Sequence, residues 1–306
     1  MKFPKVAIIT TTFNQDEKVE KCLRYLLKKT DYPKYKIYFL DDSGTGEIAK
    51  KVKKLFKKVD VSSNNSNLGY AISNNTLMKK AIREYSPDYI LHVDDDTEIL
   101  ERDWLKKLIN FAEKQEEFGI GGVKIVYPDG SLQWFLRNKK INFSRERGIR
   151  YDDSKEPKTA EVENVIGCFF LIKTKVIKKI GLFDEEFSPA YGEETDFCCR
   201  ARKAGFKLFY FGKTAAIHHG SSSANTIASE KIWFIKKRNY IRLEWLNHNY
   251  FDILKYSMIH LISSLFKKDG LTPTKKISLL LKAYAHNIKN IKEILKKRNE
   301  RRGIRY

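Results

Sequence analysis

The sequence predicts an α/β protein with a mainly parallel central sheet flanked by helices, plus a helical C-terminal extension. Three observations predict it. Short apolar runs alternate with longer amphipathic stretches through the first half of the chain. Successive runs end in polar clusters, over residues 11–14, 41–43 and 94–97. From about Ser229 the composition shifts to long basic segments of helical periodicity.

Residues 6–11 predict the first strand, and residues 16–29 a helix with Val19, Cys22, Leu23, Leu26 and Leu27 on one face. Residues 37–40 predict a second strand, ending at Asp41-Asp42-Ser43-Gly44, and residues 46–58 another helix. Asn67-Leu68-Gly69 precedes a helix reaching about Tyr85, and residues 89–93 are a buried strand that ends at Asp94-Asp95-Asp96. Such alternation implies βαβ crossovers, and ligands of such sheets sit beyond the carboxyl ends of the strands. Residues 121–126 predict a strand, with a turn at Pro128-Asp129-Gly130 and a further strand through Leu136. The charged stretch 138–161 predicts a loop over the site. Order resumes over 162–172, and a short helix precedes Gly181-Leu182-Phe183-Asp184-Glu185. Residues 229–247, 250–266 and 273–297 predict three helices, the last opening at Thr272-Pro273. The division that follows is a catalytic domain over 1–228 and a basic helical extension over 229–306.

At 306 residues the chain can bury a substantial core, and 42% hydrophobic with 32% charged residues reads as globular and soluble rather than disordered or membrane-spanning. A formal net charge of +21 attracts polyanions: nucleic acid, an anionic lipid surface or a phosphorylated substrate. Cys22, Cys168, Cys198 and Cys199 form no CxxC pair, which predicts reduced thiols and a cytoplasmic protein. No run has the length of a transmembrane helix, and none reads as a signal peptide.

Three constellations carry chemistry. Asp94-Asp95-Asp96 places three carboxylates at a strand end, where they repel one another unless a cation or hydrogen-bond donors compensate. Such oxygens suit Mg²⁺ or Mn²⁺ bridging a diphosphate; a solvated acidic turn is the plain alternative. Glu193-Glu194 opens a helix and could present a general base to a cleft, although acidic residues are common at helix starts. His218-His219-Gly220, at the end of an apolar run, offers an imidazole to a metal or a phosphate, though a single His is more often structural.

In order and spacing, TTFN, DDSG, NxG, DDDT, GLFDEEF, GEETDFCCR and HHG together resemble glycosyltransferase family 2, in particular its rhamnosyltransferase-like branch. The resemblance runs from about Lys5 to Ser223. It implies a GT-A fold and an inverting, metal-dependent glycosyltransferase using Mn²⁺ or Mg²⁺ and a nucleotide diphosphate sugar. Under it Thr11, Thr12 and Asn14 border the nucleotide, Asp41 binds the base with Asp42 beside it, and Asn67 and Gly69 lie near the base and ribose. Asp94 and Asp96 are the ends of the D-x-D motif around Asp95, with Asp96 the leading metal ligand, and His218 approaches the metal or diphosphate. Glu194 falls on the catalytic base, with Glu193 as the other candidate, and Arg238-Asn239 matches a pair without an implied role. The family usually has Asp where Glu194 stands, one methylene shorter, and the stretch 127–137 matches poorly.

The implied acceptor is a hydroxyl of a glycan or a lipid-linked glycan, in cell-surface glycan or polysaccharide synthesis. The C-terminal segments flank apolar positions such as Ile253, Leu254, Met258, Leu261, Ile262 and Leu265 with Lys236-Lys237-Arg238, Lys267-Lys268, Lys275-Lys276 and the basic run 296–302. They either lie on an anionic membrane at its inner face or pack on the catalytic domain. Two other functions compete: a nucleic-acid-binding protein, for which no recognition module is present, and a sugar nucleotidylyltransferase, whose basic Gly-rich loop is replaced here by Thr10-Thr11-Thr12-Phe13-Asn14. No nucleic-acid partner is therefore expected.

Overall fold

The computed structural model describes residues 3–133, 158–220, 229–267 and 270–302. Its centre is β1 (Val6–Thr12), whose side chains are buried on both faces except at Thr11. A continuous apolar run is what a strand covered on both faces requires. β2 (Tyr35–Asp41) and β4 (Tyr89–Val93) flank it in parallel, Ile8 pairing with Ile37 on one side and Leu91 on the other. β3 (Val59–Ser63) pairs in parallel with β2. Helices α1 (Asp16–Lys29), α2 (Glu47–Leu55) and α3 (Tyr70–Tyr85) make the crossovers.

Beyond β4 the strand directions mix. β8 (Phe169–Lys173) runs antiparallel between β4 and β6 (Phe118–Val126), and β9 (Lys207–His218) returns parallel to β6. The far side of β9 takes two short antiparallel strands, β7 (Thr159–Val162) and β5 (Thr97–Ile99). The order is β3-β2-β1-β4-β8-β6-β9-β5, with β7 also on β9. The longest ladders, β1–β2 and β6–β9, are parallel, so the mainly parallel expectation holds.

Several elements differ from the sequence expectation. The helix expected over 46–58 stops at Leu55, and β3 follows; only Val59 of that strand is fully buried, so it carries little apolar signal. Residues 97–113, given no element above, form β5 and α4 (Trp104–Glu113), with Trp104, Leu105 and Leu108 in the core. The strand beyond the Pro128-Asp129-Gly130 turn is a single bridge from Leu132 to Val126, and residues 134–136 lie outside the described set. The loop expected over 138–161 is described only from 158, and there β7 overturns it, because β9 offers an open edge. The helix expected over 273–297 is two, α9 (Pro273–Lys289) and α10 (Ile291–Arg302), divided at Asn290. Lys276, expected among surface cations, is 1% exposed, its Nζ donating to the Lys267 carbonyl at 2.5 Å. The thiols are free as expected, three buried and Cys199 half-buried.

α5 (Thr174–Ile180), a 3-10 turn over Glu185–Phe187 and α6 (Glu193–Lys203) connect the sheet to α7 (Ser229–Asn247), α8 (Tyr250–Phe266), α9 and α10. The joint is ionic. Arg301 reaches Asp196 Oδ1 at 2.5 Å and Asp184 Oδ2 at 3.2 Å, while Arg242 and Lys297 meet Asp184 at 3.1 and 2.7 Å. Asp184 belongs to the GLFDEEF stretch and Asp196 to GEETDFCCR, so both motifs receive basic residues of the C-terminal helices. A cavity of about 460 Å³ lined by Phe183, Arg200, Lys297 and Arg301 lies at this joint, where these cations already have partners.

Burial by itself would raise the Asp184 pKa, but Arg242, Lys297 and Arg301 outweigh it and hold the carboxyl down at about 2. A folded-state pKa below the unfolded value near 4 stabilises the fold above that pH, and the stabilisation disappears as pH falls toward 2. Asp184→Asn is therefore expected to lower the unfolding free energy by about 2 kcal/mol at pH 7. It should also flatten the acid arm between about pH 4 and pH 2, as read by urea unfolding over a pH series.

Candidate active site

β4 ends where the chain turns sharply: Asp94 N–H donates to the Cys168 carbonyl at 3.0 Å, and Thr97 N–H to the Asp94 carbonyl at 3.1 Å. The turn starts β5 at once, and β5 pairs Thr97 with His218 at the end of β9. That register returns His218 to the aspartates. Its Nε2 lies 3.0 Å from Asp96 Oδ1 and 3.6 Å from Asp94 Oδ2. One ligand atom each from Asp94, Asp96 and His218 fall within 4.8 Å of one another. Gln133 Oε1 lies 2.6 Å from His218 Nδ1, so a proton on Nδ1 leaves the Nε2 lone pair facing the carboxylates.

The electrostatics follow from crowding. Burial opposes a charge on His218, but the Cys168 sulfur and the Asp94 and Asp96 carboxylates outweigh it and push its pKa up. Burial would raise Asp96 as well, yet His218 and Lys18, 3.6 Å away, hold it below its ordinary value. The pocket thus attracts positive charge, and a divalent ion could take that place with neutral imidazole as a ligand. Asp95 points elsewhere: Thr12 Oγ1 donates to its Oδ2 at 2.5 Å. Burial, with Asp96 and Asp94 adding, raises Asp95 to about 7.

Beneath Asp94 lies His92, fully buried in β4. Burial pulls its pKa down to about 4 against the pull of Asp94, so the ring is neutral at pH 7. Its Nε2 is 3.3 Å from Asp94 Oδ1, and its Nδ1 is 3.0 Å from the hydroxyl of Tyr70, the first residue of α3.

Tyr70 links the aspartates to the paired glutamates. A side chain added at Gly167 would meet Glu194 Cγ and Tyr70 Oη, each at 3.4 Å, so the glycine lets both approach one point. Glu193 is 3% exposed and its Oε2 has no hydrogen-bond partner, whereas Glu194 is half-buried. Burial, then Glu194, raises the Glu193 pKa; burial, then Asp94, raises that of Glu194. Two clusters far apart in sequence are therefore brought together around His92 and Tyr70. Asn239 on α7 holds the loop before α6, its Nδ2 donating to the carbonyls of Phe187, Ala190 and Tyr191 at 2.6 to 2.8 Å. Arg238 donates to the Ser188 carbonyl, which provides the structural role that the sequence leaves open for this pair.

The expected nucleotide-binding residues divide in two. Thr11 is half-buried and Asn14 exposed, in a left-handed turn (φ 57°) that Asn tolerates. Asp41 is fully buried, its oxygens accepting from Ser43 N–H at 2.9 Å and Ala49 N–H at 3.0 Å. Asp42 accepts from Asn64 Nδ2, Leu68 N–H and Gly69 N–H at 2.7 to 3.0 Å. Both carboxylates thus fold the loops around them, Asp41 at the start of α2 and Asp42 beneath Asn67 and Gly69. Asn67 is exposed and its Oδ1 caps Gly69 N–H at 2.9 Å. The residues missed by sequence reasoning are Tyr70, His92 and Gln133. His92 could have been noticed as the one polar residue in Tyr-Ile-Leu-His-Val; Tyr70 and Gln133 carry no local signal.

Known proteins supply the next observation. The family model described as Glycosyl transferase family 2 matches residues 7–181, more than half of the chain. The chain belongs to this family. A GalNAc(5)-diNAcBac-PP-undecaprenol beta-1,3-glucosyltransferase of Campylobacter jejuni is 25% identical over 70% of this chain and 64% of its own. The O-antigen biosynthesis protein RfbC of Myxococcus xanthus is 22% identical over 75% of this chain and 18% of its own. The chain spans less than two thirds of the length of the curated relatives it matches. A mannosyltransferase structure from Pyrobaculum calidifontis, in complex with GDP-Man and Mn²⁺, matches at a TM-score of 0.55 and 13% identity, over 98% of this chain and 74% of that one. The chain thus has the GT-A fold.

The loop carrying Asn67 offers a stability test of the site's frame. Gly69 sits at φ 85°, and a Cβ there would lie 2.7 Å from Pro189 Cα, a backbone atom that cannot swing aside. Gly69→Ala is expected to lower stability by about 2–3 kcal/mol. Gly130→Ala, at φ 79° with nothing within 4 Å, should lower it less. Thermal unfolding of the two variants checks the difference.

Proposed function

We propose that this family 2 glycosyltransferase moves a sugar from a nucleotide diphosphate donor to an acceptor hydroxyl with inversion at the anomeric carbon. The observation that carries the reading is the chain of contacts from Asp94 through His92 and Tyr70 to the neighbourhood of Glu194. Glu194, open to the cleft, takes the acceptor proton as the oxygen attacks the anomeric carbon, and the bond from that carbon to the diphosphate breaks. A single in-line displacement inverts the configuration; Glu193, sealed behind, keeps water from that side, and Asp94 adds the negative charge that helps to raise the Glu194 pKa.

Asp94, Asp96 and His218 suit Mn²⁺ or Mg²⁺, two carboxylate oxygens with an imidazole whose second nitrogen is held by Gln133. A bound ion would supply Lewis-acid neutralisation of the departing diphosphate. Thr11, Thr12, Asn14 and Asn67 border the nucleotide, with Asp41, Asp42 and Asp95 supporting them from beneath. The GDP-Man and Mn²⁺ bound by the archaeal structure support a nucleotide-sugar donor with a metal. The Campylobacter and Myxococcus relatives support a glycan or lipid-linked acceptor in cell-surface glycan synthesis; the transfer proposed is of hexosyl or rhamnosyl type. Residues 1–228 act as the catalytic unit and 229–306 as its basic extension, at the inner face of the membrane. Family membership favours this reading over the nucleic-acid-binding and nucleotidylyltransferase alternatives.

Asp96→Ala and Glu194→Gln are each expected to lower kcat about 10²–10⁴-fold, with the melting temperature retained. Unchanged turnover in either variant sinks the assignment. Gln133→Ala should weaken Mn²⁺ binding about 10- to 100-fold by calorimetric titration, because the His218 ring loses its orienting partner. A base must be ionised to act, so kcat is expected to fall as pH drops through the Glu194 pKa, at a pH above the ordinary Glu value.

A further inference from the structure

α8 is turned inside out. Its buried residues are polar, His260 and Ser264. His260 Nε2 lies 2.9 Å from Glu244 Oε1 and its Nδ1 3.1 Å from Lys237 Nζ, which also donates to Ser263 Oγ at 3.1 Å. This network fastens the polar side of the helix to α7 and leaves the apolar side outward. Phe251, Leu254, Met258, Ile262 and Leu265 follow one another at three- and four-residue steps and are 76, 64, 55, 51 and 43% exposed. Scattered exposed apolar residues are ordinary, but a continuous stripe along a helix marks an interaction surface.

Charge identifies the partner. Lys255 and Lys267 are exposed on or beside the stripe. The helix's one acidic residue, Asp252, is half-buried and held by Asn249 Nδ2 at 2.8 Å. A second copy would bring a chain of net charge +21 against its like, with lysines at the same stripe. An anionic lipid surface meets both needs, apolar and electrostatic. The helix has 17 residues, about 25 Å at the α-helical rise, and no helix among the described residues is long and apolar enough to cross a membrane. It therefore suits the bilayer surface, lying in its plane.

We propose that α8 seats this chain on an anionic bilayer, with Phe251, Leu254, Met258, Ile262 and Leu265 at the acyl boundary and Lys255 and Lys267 against lipid phosphates. The inference deepens the membrane placement proposed above by naming the helix and the lipid charge, and failure of the transferase chemistry would leave vesicle binding unchanged. It also adjoins the cleft. Lys236 Nζ lies 4.6 Å from the centre of the Tyr191 ring, two residues before Glu193, and Lys267 is near enough to add to the burial that depresses the Lys236 pKa.

The test is co-sedimentation of the full chain with phosphatidylcholine vesicles, with and without phosphatidylglycerol, alongside light scattering for oligomeric state. The wild type is expected to bind phosphatidylglycerol vesicles at least about tenfold better than phosphatidylcholine alone, and less well as salt rises. The variant Leu254→Asp/Met258→Asp/Ile262→Asp should lose at least about tenfold in that binding, with an unchanged melting temperature. Should it fail to fold, Lys255→Glu/Lys267→Glu is the second variant, with the same loss expected. Failure of the wild type to bind anionic vesicles overturns the proposal, as does equal binding by folded variants. A wild-type dimer that the aspartate variant makes monomeric, without vesicle binding, assigns the stripe to self-association instead.

Discussion

Asp94, Asp95 and Asp96 repel one another at the end of β4, and the residues around them are arranged against that repulsion. Thr12 donates to Asp95, Lys18 stands near Asp96, and His218 comes within contact of Asp94 and Asp96. None of these partners is local in sequence. Two arrive through the sheet, Thr12 at the end of β1, next to β4, and His218 because β9 pairs with β5, while Lys18 comes from α1. The cluster is stable only if the register of those strands is right, and the register in turn presents the carboxylates to the cleft.

The same logic extends to the other wall. Glu193 and Glu194 open α6 behind a loop whose carbonyls are gathered by Asn239. Asp184 and Asp196, in the motifs around that wall, are neutralised by Arg242, Lys297 and Arg301 of the C-terminal helices. Removing one partner from such a buried ion network leaves an uncompensated charge, the situation that destabilises most. The helical extension is thus tied to the wall that carries the glutamates, while α8, on its outer side, keeps its apolar stripe free of the chain's own described core.

Carboxylates divide into two kinds here, and their partners separate them better than burial does, since Asp96 is as buried as Asp184. Asp41, Asp42, Asp184 and Asp196 are buried acceptors whose oxygens meet backbone N–H groups, side-chain amides or guanidinium groups. Asp94 and Glu194 are half-buried and come together around Tyr70 and His92. Motif membership does not distinguish the two kinds, since GEETDFCCR contains one of each in Glu194 and Asp196.

Sequence by itself determined the α/β class, the strands β1, β2 and β4, the helices α1 and α3, and the three acidic and histidine clusters worth watching. These rest on periodicity and on residue type at strand ends, which are local properties. It did not show β3, β5 and α4, the division between α9 and α10, or the edge pairing of β7. Short edge strands bury few residues, and a helix break at Asn290 has no Gly or Pro to announce it. Only the tertiary structure could bring Asp94, His218, Tyr70 and Glu194 together, show Asp41 as a sealed structural acceptor, or turn the apolar side of α8 outward. Those outcomes depend on register and on which face a neighbour covers, and both are decided by residues distant in the chain.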